Sequence, residues 1–84
     1  MKSQFILNTE HRHNGITMKF ENGNTISIQF STTKNYSDGK TNAEVAAWAA
    51  DGEWINLSDN PKELVVGWQT TDKVADLIQK VKSL

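Results

Sequence analysis

A chain of 84 residues makes one domain with a modest core, and 37% hydrophobic residues with three Trp suffice to build it. Nine basic against ten acidic residues leave a net charge of −1, which argues against bulk electrostatic binding to nucleic acid or to an anionic membrane. With no Cys, thiolate zinc sites, thiol catalysis and disulfides are excluded.

Phe5-Ile6-Leu7 reads as a short first strand. Three apolar residues are too few for a signal-peptide core or a membrane span, and no later stretch is long and apolar, so no membrane association is expected. Thr9 to Gly15 is a polar connection, and residues 1–15 form a strand and polar lead-in. Ile16, Met18 and Phe20 then alternate with polar residues, and so do Ile26, Ile28 and Phe30. This period of two marks two half-buried strands.

Glu21-Asn22-Gly23-Asn24 joins them as a hairpin. A two-residue Asn22-Gly23 loop would set Met18 against Ser27 and mix apolar with polar on one face. A three-residue loop, Glu21-Asn22-Gly23, pairs Met18 with Ile26 and Ile16 with Ile28. It also places Gly23 at the left-handed position of a type I turn with a bulge, and this register is preferred.

Thr32 to Thr41 is a long polar loop around Tyr36. Ala43 to Ala50 is open at this point. Thr41 with Glu44 fits a capping box, and Ala is the best helix former. Against this, Asp51-Gly52 is a two-residue type I′ signal that would pair Trp48 with Ile55 and Ala46 with Leu57 as strands. Leu64 to Trp68 reads as the last strand, closing a meander over residues 16–68. Thr70-Thr71-Asp72 opens a helix over 71–83, whose Val74, Leu77, Ile78, Val81 and Leu84 form one apolar stripe. Too short to stand alone in water, that helix must bury its stripe on the sheet. The expected fold is α+β: an antiparallel β-meander of four to five strands with one C-terminal amphipathic helix packed on one face.

For chemistry the chain offers little. His11 and His13 fall on one side of an extended segment, but a metal needs a third ligand from elsewhere, and a solvated loop is the favoured reading. Glu44, Asp51, Glu53 and Asp59 read as surface carboxylates around a turn, and no nucleophile elbow accompanies the Ser and His residues. The five Gly never cluster into a phosphate-cradling loop. No catalytic group, cofactor or metal is therefore expected.

The aromatic residues carry more. In the strand reading Trp48 faces the helix side with Ile55 and Leu57. Trp54 faces the other side with Ala47 and Ala49, open to a partner or lying flat over the alanines. Trp68 is expected to anchor the strand-to-helix corner. In the polar loop, Lys34, Asn35, Tyr36, Asp38 and Lys40 are candidates for contact with a partner or a small anionic ligand, against the plainer reading of a hydrated loop with one pinned aromatic.

The run Phe20 to Phe30, then Asn35-Tyr36, Ala43 to Trp48, Asp51 to Trp54, Val66-Gly67-Trp68 and Thr71 to Ile78, resembles small accessory proteins of tailed bacteriophages over about residues 16–82. The resemblance favours strand for Ala43 to Trp48, where such proteins carry more β-branched residues. They also carry a Cys after the loop Tyr, where this chain has Ser37. It implies a non-enzymatic protein of the host cytoplasm that binds and inhibits or modulates a host protein, such as a CRISPR-type defence component. A nucleotide-signal binder using Lys34, Tyr36 and Lys40, and an oligomeric virion or assembly component, are the alternatives. A homodimer through the second sheet face is also compatible.

Overall fold

The computed structural model describes residues 3–8, 14–30, 37–38 and 40–84. Six strands and one helix follow in chain order: β1 (Gln4–Asn8), β2 (Gly15–Lys19), β3 (Thr25–Gln29), β4 (Asn42–Trp48), β5 (Trp54–Ile55), β6 (Val66–Thr70) and α1 (Thr71–Ser83). The strands are antiparallel in the order β1-β2-β3-β4-β5, and β6 pairs with β4 as well. Since β3 takes one edge of β4, β5 and β6 share the other. They are two pieces of one strand position, interrupted by an excursion over residues 56–65. The fold is thus the expected α+β meander with one C-terminal helix.

The first hairpin has the expected register, Ile16 opposite Ile28 and Met18 opposite Ile26. Its turn is the three-residue one. The Phe20 N–H donates to the Asn24 carbonyl at 2.9 Å, the Gly23 N–H to the Phe20 carbonyl at 2.9 Å, and Gly23 has φ +88°. The second hairpin departs from expectation. Ala49 N–H donates to the Glu53 carbonyl, Gly52 N–H to the Ala49 carbonyl, and Gly52 also has φ +88°. The loop is therefore Ala50-Asp51-Gly52, three residues like the first. Trp48 faces Trp54, and Ala47 faces Ile55. A slip of one residue exchanges the two faces of a strand, so Trp48 lies away from the helix and Ala47 lies in the core. Segment 42–48 is strand, not helix, because its alternate residues Ala43, Val45 and Ala47 fill the core as β4 passes between β3 and β5/β6.

The core lies between one sheet face and α1. Ile26, Ile28, Ala43, Val45, Ala47 and Val66 supply the sheet side. Val81 is fully buried from the helix, with Val74, Leu77 and Ile78 packed beside it. The expected stripe holds except at its end, where Leu84 is 61% exposed because α1 stops at Ser83. Thr70 is the N-cap, its hydroxyl accepting the Lys73 N–H at 3.4 Å, and Asp72 in the first turn with Lys80 and Lys82 in the last complements the helix dipole.

Two asparagines of the first turn lock the other end of the helix. Asn24 Nδ2 donates to the Val81 carbonyl at 3.1 Å, and Asn22 Nδ2 lies 3.0 Å from both the Lys82 and Leu84 carbonyls. These are carbonyls that a helix end leaves without partners. The helix runs over β6, β4 and β3 and does not reach β1. Phe5, opposite Met18 on the helix side, is accordingly 72% exposed.

Candidate interaction site

The helix-free face is built from the alternate strand residues: Ile6 on β1, Thr17 and Lys19 on β2, Thr25, Ser27 and Gln29 on β3, Glu44, Ala46 and Trp48 on β4. A mostly polar face of this kind is what an antiparallel sheet shows to water, although Ile6 is 42% exposed on it. Against that background the Trp residues stand out. Trp48 and Trp54 sit directly opposite each other, ring centroids 4.9 Å apart and planes tilted by 50°. Such a pair stabilises by about 0.5–1.5 kcal/mol beyond its buried area. Trp48 is half-buried, while Trp54 is 45% exposed.

Trp68 does not anchor the strand-to-helix corner. It is 53% exposed and takes φ +56°, the left-handed region. The cause is a bulge. Ala43 pairs with Gln69 and Val45 with Val66, so Glu44 alone opposes Gly67 and Trp68. A non-Gly residue there costs roughly 1–2 kcal/mol, and strain of this kind collects at functional positions.

Beside the bulge lies an open cleft of about 690 Å³. Glu44, Gly67 and Trp68 form one wall; Asn60, Lys62, Glu63, Leu64 and Val65 form the other. The second wall is held by side chains bonding to local backbone. Asn56 Oδ1 accepts the Ser58 N–H at 2.8 Å, Ser58 Oγ accepts the Asn60 N–H at 3.1 Å, and Asn60 Oδ1 accepts the Lys62 N–H at 3.0 Å. Asn56 Nδ2 donates to the Asn60 carbonyl at 3.0 Å. Residues that bond in this way compete with strand pairing, which is why β5 stops at Ile55 and the last strand starts at Val66 rather than Leu64.

The polar-loop candidates divide. Lys34, Asn35 and Tyr36 lie outside the described residues, as do His11, Arg12 and His13. Asp38 is exposed, and its carboxylate is bonded to its own loop. Its Oδ1 accepts N–H groups from Thr41 at 2.7 Å, Lys40 at 2.8 Å and Asn42 at 3.2 Å, and the Thr41 hydroxyl donates to Oδ2. The Thr41 hydroxyl first, then these backbone donors, hold the carboxyl far below the usual carboxylate range. Ser37, buried, donates from Oγ to the Asn42 carbonyl at 2.9 Å.

With its folded pKa depressed, Asp38 supports the loop fully above about pH 4, the unfolded value, and loses that support as pH falls through the folded one. In an NMR titration the Thr41 and Asn42 amide shifts should therefore stay flat down to pH 4 and move only below it. A midpoint at or above 4 would contradict the bonding described.

Lys40 is exposed on the rim of a smaller apolar groove of about 230 Å³, between Ile16, Ile28 and Ala43 of the sheet and Val74 and Ile78 of α1. Among the described residues, Trp54 is therefore the one expected site residue that the helix-free face presents. Trp48, Glu44 and Trp68 join it there, and sequence reasoning placed none of the three on that face. Among the described residues no group of three metal-ligating side chains occurs, and no helix is long and apolar enough to cross a membrane. No family model, no curated protein and no solved structure matches the chain.

Proposed function

We propose that this chain is a non-enzymatic binding protein whose helix-free sheet face docks a protein partner through Trp54, Trp48 and Trp68. The observation that carries the reading is three tryptophans on one mostly polar sheet surface, with Trp54 and Trp68 each about half exposed and Ile6 exposed on β1 of the same face. Trp anchors dominate the energetics of protein interfaces, and a polar rim around a central aromatic cluster is their usual anatomy. In the phage setting implied by the resemblance, the partner is a host protein, bound in the host cytoplasm and inhibited or modulated there.

A tagged chain recovered from a bacterial lysate under mild salt tests this when wild type is run beside Trp54→Ala and Lys73→Ala, the latter on the exposed side of α1. Trp54→Ala is expected to weaken recovery of a stoichiometric partner by about thirtyfold or more, as for a hot spot of 2 kcal/mol. It should also keep its fold, since it forfeits only the pair with Trp48. Lys73→Ala should bind as wild type does. Undiminished recovery by Trp54→Ala, or equal loss in both variants, contradicts the reading.

A further inference from the structure

We propose that the cleft beside the β6 bulge receives an arginine side chain of the protein partner, stacked on Trp68 and paired with Glu44; this rests on the helix-free face being the docking surface. Three observations converge on that occupant.

First, Glu44 is half-buried, and among the described residues its carboxylate takes no hydrogen bond and no ion pair. A carboxylate without a partner gains most from a cation that also donates hydrogen bonds. Second, the bulge sets Gly67 and Trp68 directly across from Glu44, so an exposed indole and the carboxylate line one cleft. A guanidinium is planar. It stacks on an aromatic face while its edge bonds a carboxylate through two parallel N–H groups, which an ammonium cannot do. Third, the cleft is electrically suited to a single positive charge. Its lining carries two carboxylates, Glu44 and Glu63, against one ammonium, Lys62.

Its far wall is already fixed by the Asn56, Ser58 and Asn60 bonds, so little ordering entropy opposes entry. The left-handed Trp68 also finds a purpose here, since the bulge at which it lies sets residue 68 across from Glu44 at the same cleft.

The test needs no knowledge of the partner. The acetylated and amidated tripeptide Gly-Arg-Gly, and its citrulline counterpart, are titrated into the full chain and followed by the indole N–H signals in ¹⁵N spectra, with Trp68→Phe identifying the Trp68 signal. Saturable movement of the Trp68 indole by the arginine peptide is expected at roughly millimolar concentration, as befits a single side chain. Citrulline, uncharged and of the same shape, should bind at least about tenfold more weakly. Glu44→Gln, on the solvent side of β4, should weaken the arginine peptide by a similar factor, in line with a lost charged hydrogen bond. Its melting temperature should stay near wild type, which separates lost binding from lost fold. Equal binding of the two peptides, unchanged affinity in Glu44→Gln, or no movement of the Trp68 indole each overturns the proposal. Because the docking reading is tested on Trp54 with the natural partner, it survives or fails independently of this titration.

Discussion

Asn24→Asp should lower stability by about 3 kcal/mol at neutral pH, one of the largest costs available to a single-atom change in this chain. Asn24 is 8% exposed, and its Nδ2 donates to the Val81 carbonyl at 3.1 Å. Replacing the amide by a carboxylate removes the donor, sets two acceptors face to face, and adds a negative charge at the negative end of the α1 dipole. For a domain of this size the melting temperature should fall on the order of 15 °C.

Asn22→Asp supplies the comparison. Asn22 is exposed, and its Oδ1 still accepts the Asn24 N–H at 2.9 Å after the change. Its donations to the Val81, Lys82 and Leu84 carbonyls are lost and a charge is added there too, but at an exposed position where water solvates both, so only about 1 kcal/mol is expected. Acid should partly rescue Asn24→Asp. Burial beside a carbonyl raises the folded pKa of that new carboxyl above its unfolded value, and once protonated it donates to Val81 as the amide did. Denaturant melts of both variants at pH 7 and pH 4 decide it. Equal losses in the two variants would mean that the buried bond carries no special load.

Gly23→Ala and Gly52→Ala should differ although the two glycines share the same turn position and φ +88°. A Cβ on Gly52 meets nothing within 4 Å, so only the left-handed strain applies, about 1 kcal/mol. A Cβ on Gly23 would lie 2.5 Å from the Ala50 Cβ, because the tips of the two hairpins pack against each other at one end of the sheet. Overpacking adds about 2 kcal/mol to the strain. Ala50→Gly in the Gly23→Ala background should recover most of that added cost while doing little alone, a coupling of about 2 kcal/mol in a double-mutant cycle. Equal cost for the two glycine substitutions, or no coupling with Ala50, would separate the hairpin tips.

These features show where the sequence was readable. Apolar alternation at Ile16–Met18 and Ile26–Ile28 settled the first hairpin, because only one loop length keeps those residues on one face. The same argument was within reach for the second hairpin. Gly52 follows Ala50-Asp51 as Gly23 follows Glu21-Asn22, and in both the Asx side chain accepts the N–H two residues on, Asn22 from Asn24 and Asp51 from Glu53. A two-residue loop was attractive there because it made a wholly apolar Trp48, Ile55 and Leu57 face. The three-residue loop instead sets Trp48 against Trp54 on the helix-free face.

What was not readable depends on partners far along the chain. Asn22 and Asn24 read as turn residues, yet their amides serve a helix end some sixty residues later. The Trp68 bulge comes from fitting the returning strand against Glu44 after an excursion held by Asn56, Ser58 and Asn60, and no local pattern announces a left-handed tryptophan. Trp54 was legible as an exposed aromatic because, under either register, it alternates away from Ile55.

The most direct test of the account is which face a partner touches. A photo-crosslinking residue in place of Thr25, which lies opposite Trp48 on the helix-free face, and another in place of Asp76, exposed on α1, leave the tryptophans intact. After irradiation in the bacterial host, the position 25 chain should yield one crosslinked protein and the position 76 chain none. Crosslinking from position 76 alone, or equally from both, would contradict the assignment of the tryptophan face as the docking surface.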